Sequence, residues 1–148
     1  MKPLMICLLL VLGAIAVNAQ ADRFANSYVS ENGKVHFFSS TPLENIEATT
    51  NSAMCVINTD TKKVSAKITI KSFVFPKQMM QEHFNENYLE SDKYPTSTLD
   101  ATIVENINWK VDGTYNTTLK GTLDMHGVKQ QLEIPATITI KNGQVQSA

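Results

Sequence analysis

The sequence predicts an all-β domain, an antiparallel sheet closed into a barrel and capped by one short helix. Three observations carry that reading. Val64, Ala66, Ile68 and Ile70 alternate with Ser65, Lys67, Thr69 and Lys71, giving a strand with one apolar and one wet face. Similar alternation recurs downstream, punctuated at short intervals by Asp112-Gly113, His126-Gly127 and Asn142-Gly143, which are turn-forming pairs. Only residues 73–95 carry a helical period. Seven or eight one-sided strands argue for a barrel or sandwich, not a parallel α/β sheet. Their polar outer faces exclude a membrane barrel, whose outside would be apolar. Closure also removes two long exposed edges.

The elements follow in chain order. Residues 1–19 read as a secretory signal peptide: Lys2 is the single positive charge, residues 4–17 are apolar, and Val17-Asn18-Ala19 precedes Gln20. The run is short for a membrane span, which needs about 20 apolar residues. The expected mature domain is therefore residues 20–148, periplasmic or secreted, without stable membrane insertion after cleavage near Ala19. Residues 24–30 and 35–40 are expected to pair as a hairpin across Glu31-Asn32-Gly33-Lys34. Thr41-Pro42 calls for a bulge or sharp bend. Residues 43–50 show no clean period, and residues 53–57 are apolar on both faces. Leu99, Ala101 and Ile103 form one inward series, and Ile107, Trp109 and Val111 a second. Tyr115, Thr117, Leu119, Leu123 and Met125 form a third, interrupted by Gly121, where a missing side chain permits bending or leaves room inside. Ile134, Ala136, Ile138 and Ile140 form a fourth. Only residues 144–148 follow the Asn142-Gly143 turn, so the chain is expected to stop before the domain does, leaving the last strands incomplete.

In residues 73–95, Met79, Met80, His83, Phe84, Asn87 and Tyr88 recur at three- and four-residue steps, the spacing of one helical face. Pro76 suits a first helical turn, and Pro95 ends the segment while pushing Tyr94 toward extended backbone. Glu82, Glu86 and Glu90 fall on the opposite, solvated side. The expected role of residues 79–88 is a lid over one end of the barrel.

Composition narrows the function. The chain of 148 residues holds 13 basic and 14 acidic side chains, and Arg23 is its only arginine. Without clustered cations it offers nothing to a nucleic-acid backbone. Cys55 is the sole thiol once the leader is removed, so no intramolecular disulfide can form, and it reads as a buried, inert cysteine. Gly-x-Ser-x-Gly, Gly-rich phosphate loops and paired-cysteine metal motifs are absent from the sequence. No catalytic residue, cofactor or metal is assigned, and the chain does not read as an enzyme. One alternative is a metal-dependent hydrolase using His83 with Glu82, Glu86 and Glu90, although two helical ligands without a third make a poor site. Another is a stress-induced interaction protein with a packed core. His126 reads as a turn residue, and the sequon Asn116-Thr117-Thr118 falls mid-strand. Small inward residues (Ala66, Ala101, Gly121 and Ala136) and flexible Met79, Met80 and Met125 leave a packed core and a ligand cavity equally open.

Three stretches resemble the YceI family. They are residues 37–48 (FFSSTPLENIEA), residues 79–95 (MMQEHFNENYLESDKYP) and residues 121–128 (GTLDMHGV). The middle one is similar to the version carried by exported members from Bacteroidetes. The resemblance implies an extended lipocalin-like barrel with a helix over it. It implies a long apolar ligand in that barrel, such as a polyisoprenoid, an isoprenoid quinone or a fatty-acid derivative. Contacts carry over as inward positions: Phe37, Ile68, Ile70, Leu99, Ile103, Trp109, Leu119, Leu123 and Ile138 from the lining, with Met80 and Phe84 from the helix. Dimerisation is left open. Family members continue with further strands past the position of Gly143, in line with the unfinished hairpin.

Overall fold

The structure is a computed structural model describing residues 26–148; the expected signal peptide lies outside the described residues. Seven antiparallel strands run in chain order as one sheet curved into a nearly closed, lipocalin-like barrel. They are β1 Ser27–Ser40, β2 Asn45–Asn58, β3 Lys63–Thr69, β4 Thr96–Ile103, β5 Gly113–Met125, β6 Val128–Lys141 and β7 Gln144–Ser147. Among the described residues β1 and β7 are the outer strands and do not pair with each other. One end of the barrel carries the segment between β3 and β4, here called the helix end. The opposite end carries the loop 104–112.

The expected hairpin across residues 31–34 is replaced by one continuous 14-residue strand. The reason is a pair of bulges. Register passes from Ser30↔Cys55 to Gly33↔Ala53 and then to Val35↔Thr50, so β1 and β2 each hold one extra residue. An extra residue inverts which side chains face inward. Tyr28 and Ser30 point in before the bulge of β1, and Gly33, Val35 and Phe37 after it. On β2 the inward set changes from Ala48 and Thr50 to Ala53, Cys55 and Ile57, while Met54 is exposed. The two inversions cancel, so the hairpin keeps one apolar face throughout. Each bulge is closed by a buried hydroxyl: Asn32 N–H donates to Ser30 Oγ (3.4 Å) and Ser52 N–H to Thr50 Oγ1 (3.2 Å). Gly33 suits the close approach of the strands here, because a Cβ would sit 3.0 Å from the Ala53 carbonyl oxygen and press on it.

Thr41-Pro42 makes the expected break, as the bend joining β1 to β2, closed by Thr41 Oγ1 donating to the Glu44 carbonyl (2.6 Å). His126-Gly127 and Asn142-Gly143 each hold two residues of positive φ, the requirement of a two-residue type I′ hairpin. Residues 107–111 are not a strand: they belong to the loop, where Tyr115 Oη donates to the Asn108 and Val111 carbonyls. Loop and β5 are joined further by Thr118 N–H donating to Glu105 Oε2 (2.7 Å), a bond that holds the exposed Glu105 carboxyl below its usual range. A lone alternation of three apolar residues does not outweigh the turn chemistry of Asn106, Asn108 and Asp112.

Candidate functional site

The candidate site is the barrel interior, and its two ends are closed differently. At the helix end, residues 70–75 cross the opening and pair with β2 at Thr49↔Val74. The backbone is extended again after a 3-10 turn at Ile70–Ser72, so Phe73 and Phe75 are buried and Val74 is exposed. Helix α1, Gln78–His83, follows, and then a single π-turn at Phe84–Tyr88. Pro76 precedes the helix and does not lie in its first turn.

The π-turn decides which side chains face the barrel. Leu89 N–H donates to the Phe84 carbonyl at 2.9 Å, a five-residue step. Phe84 and Leu89 are therefore both buried, whereas Tyr88, one α-helical step from Phe84, is 44% exposed. Met79 is 71% exposed. The expected lid face of Met79, Met80, His83, Phe84, Asn87 and Tyr88 thus narrows to Phe84 and half-buried Met80, with Leu89 added. Phe84 stands among Phe37, Phe73 and Phe75, with ring centroids 5.2, 6.0 and 4.7 Å away. Edge and tilted packings of this kind add to plain area burial.

Glu90, expected to be solvated, has left the helix. Its φ of 44° ends the helical run, and its Oε2 lies 2.7 Å from His126 Nε2. Tyr94 packs edge-on against His126 at 4.9 Å and covers Gly127. Together they bind the helical segment to the β5–β6 turn.

The opposite end is stopped by the loop. Ile107 and Trp109 pack against the core there, and Trp109 meets the Tyr28 ring at 6.0 Å. Trp109 is a plug contributed by a loop, not a rung of the wall.

Between the two ends lie two apolar clusters. Phe37, Ile68, Ile70, Met80 and Phe84 belong to the helix-end cluster, and Leu99, Ile103, Leu119, Leu123 and Ile138 to the other, with Trp109 on its margin. Met125 packs against both. Ile70 opens a short 3-10 turn rather than ending β3, yet remains buried. Two buried hydroxyls on the wall are satisfied within it: Ser97 Oγ donates to the Asp124 carbonyl (2.9 Å) and Thr117 Oγ1 to that of Ala136 (3.3 Å). Ser147 Oγ is the exception, buried in the lining without a hydrogen-bond partner among the described residues.

Two cavities remain inside. One, of about 40 Å³, is lined by Ile57, Val64, Leu119, Ile134 and Ile138, and its single oxygen-bearing side chain is Ser147. The other, of about 30 Å³, is lined by Gly33, Val35, Ala53, Ala66, Ile68 and Leu123. Cys55 and Leu99 line both. Burial pushes the Cys55 thiol up to about 11, consistent with an inert apolar neighbour. A larger groove of about 390 Å³ lies outside the barrel, between the β1–β2 bend and the helix. Leu43, 97% exposed, Met79 and Tyr88 form its rim, and Met80 and Phe84 line it as well. Sequence reading missed Cys55 and Val35 as lining residues because the double bulge hides the period of β1 and β2. Among the described residues no three potential metal-ligating side chains gather, and the exposed His83 ring faces only Asn87 (3.4 Å).

Known proteins share this architecture. A polyisoprenoid binding domain from Saccharophagus degradans, implicated in plant cell wall breakdown, has a TM-score of 0.60 at 14% identity. That likeness covers 90% of this chain and 71% of the other. The YCEI protein of Campylobacter jejuni has a TM-score of 0.53 at 23% identity, over 68% of this chain and 59% of that one. At such identities the likeness is one of fold. No curated protein matches the chain. Residues 25–148 match the YceI-like domain itself, and with the barrel, its helix and its plugged ends in place the chain belongs to the YceI-like family.

Proposed function

We propose that this protein is an exported binding protein that encloses a long apolar chain, a polyisoprenoid, isoprenoid quinone or fatty-acid derivative, inside the barrel. The observation that carries this reading is the interior itself. Its packed side chains are predominantly apolar from the aromatic cluster at one end to Trp109 at the other, and two small cavities lie along it, the first holding the unpartnered Ser147 hydroxyl. Each CH₂ transferred from water into such surroundings contributes roughly 0.8 kcal/mol. Related folds support the ligand class, since the Saccharophagus domain is a polyisoprenoid binding domain. The apolar leader supports a periplasmic or secreted location. Binding, not catalysis, is the activity assigned, through Phe37, Ile68, Ile70, Leu99, Ile103, Leu119, Leu123 and Ile138 on the wall and Met80, Phe84 and Trp109 at its ends.

Protein produced in a bacterial periplasm should carry a stoichiometric lipid, detectable by solvent extraction and mass spectrometry. Delipidated protein that takes up no isoprenoid or acyl chain at micromolar concentration would sink the reading. A second placement of the chain is favoured by the external groove, whose volume already falls in the range of small-molecule sites, about 300–1,000 Å³. Met79→Glu decides between them. It should leave lipid content unchanged for interior binding and abolish it for groove binding.

A further inference from the structure

The groove between the β1–β2 bend and the helix lies outside the barrel and stands on a fixed frame. Its bend is closed on itself: Thr41 N–H donates to the Glu44 carbonyl (3.3 Å), and Glu44 N–H donates back to Thr41 Oγ1 (3.1 Å). The bend holds Leu43 97% exposed, where the side chain buries almost nothing for the fold. Lys77 Nζ reaches Glu44 Oε1 at 2.5 Å, joining the residue before the helix to the bend. Met79 and Tyr88 are exposed on the facing wall, with Met80 and Phe84 deeper. A single exposed apolar side chain is ordinary, but three around one concavity of about 390 Å³ mark a binding surface.

The polar groups on the same walls are unequal. The Thr41 hydroxyl is engaged within the bend, and the Glu44 carboxylate accepts from Lys77. An ammonium carries three donors, of which Glu44 takes one. His83 also lines the groove. An amide nitrogen only donates, so His83 Nδ1 accepts from Asn87 Nδ2 (3.4 Å), and the proton of the neutral ring sits on Nε2. Donors outnumber acceptors, and the chemistry that complements the groove is an apolar chain ending in an acceptor-rich, negatively charged group.

We propose that this groove binds a single-chain fatty acid in its ionised form, the chain against Met79, Met80 and Tyr88 and the carboxylate on Lys77. The site needs none of the barrel interior and is filled from solution, so it goes beyond the carrier reading. Within it Glu44 is a competitor: it shares the Lys77 ammonium with the incoming carboxylate, and its own charge limits the affinity for the acid.

The test is calorimetric titration of delipidated protein, near neutral pH, with a medium-chain fatty acid and with the alcohol and methyl ester of the same chain. Wild type should hold the acid about tenfold tighter than either neutral analogue, the low end for a hydrogen bond to a charged group. Added salt should shrink that difference. Lys77→Ala should bring the acid down to the level of the alcohol, and Lys77→Arg should keep the preference. Glu44→Gln should strengthen acid binding several-fold and leave the alcohol unmoved. Opposite signs from the two halves of one ion pair separate recognition of the head group from simple loss of the pair, which would move both variants alike. Met79→Glu should weaken all three ligands by about tenfold or more, by setting a charge against the chain. Equal wild-type affinity for acid and alcohol overturns the proposal. So does an acid preference that survives Lys77→Ala, or acid binding indifferent to Met79→Glu. Each of these leaves the carrier reading standing, because lipid brought from the periplasm is measured separately by extraction. Failure of all three ligands to bind removes both.

Discussion

The five-residue step from Phe84 to Leu89 shows how much one backbone hydrogen bond decides. An α-helical register would have put Tyr88 inside, and the sequence, with Phe84 and Tyr88 four apart, reads that way. Leu89→Ala should therefore cost about 2–5 kcal/mol, as for a buried leucine, and Tyr88→Ala no more than about 0.5 kcal/mol. Urea denaturation of the two variants checks it, and a reversed order would mean the turn is α-helical. Gly121 shows a different limit. Its interruption of the inward series was legible, but not which of two purposes it served. A Cβ there would lie 2.1 Å from the Asp100 carbonyl oxygen and 2.4 Å from the Ala101 Cα, so the glycine allows β4 and β5 to approach closely. Gly121→Ala should cost roughly 3 kcal/mol or more, the upper end of overpacking, because backbone cannot give way. Cys55 was legible as buried. Its thiol ionises near 9 when unfolded and near 11 when folded. The unfolded chain thus holds fewer protons between these values, and stability falls as pH rises from about 9 to 11. The difference in stability between wild type and Cys55→Ala should be flat below pH 9 and shrink above it in denaturant titrations.

Strands with an unbroken period of two were read correctly from their side chains, as in β3, β4, β5 and β6. The β1–β2 hairpin was not, because a period that changes phase midway resembles two strands and a turn. Its paired bulges predict non-additive deletions. Removing Asn32 alone, or Asn51 alone, leaves one inversion unmatched, turning half of a strand's apolar residues outward, and should prevent stable folding. Removing both restores matched faces and should recover most of the stability lost, since the ladder again holds one residue opposite one. Thermal melts of the three deletion variants test this, with simple additivity as the result against it. The loop 104–112 fails for the opposite reason. Ile107 and Trp109 do face the core, but from irregular backbone fixed by hydrogen bonds to Tyr115, so their spacing imitates a strand.

At the scale of the whole molecule the barrel, the position of its helix and the apolar class of its interior were readable, whereas the partition of that interior was not. Partition depends on which inward residues share a height, and height follows from register and bulges rather than from composition. Phe84 joins the segment 70–95 to the barrel, so Phe84→Ala should cost about 3–5 kcal/mol, and Phe84→Asp more, by burying an unpaired charge. Unchanged thermal stability in either would detach the helix from the core. The strand order has a consequence for how the molecule comes together. Each strand pairs with its immediate successor, so ladders become available in the sequence in which a chain threads across a membrane or leaves a ribosome, with no strand waiting for a distant mate. Among the described residues β1 and β7 border the one unzipped line of the wall, and of these seven strands they are the pair whose meeting would have to wait for all the others.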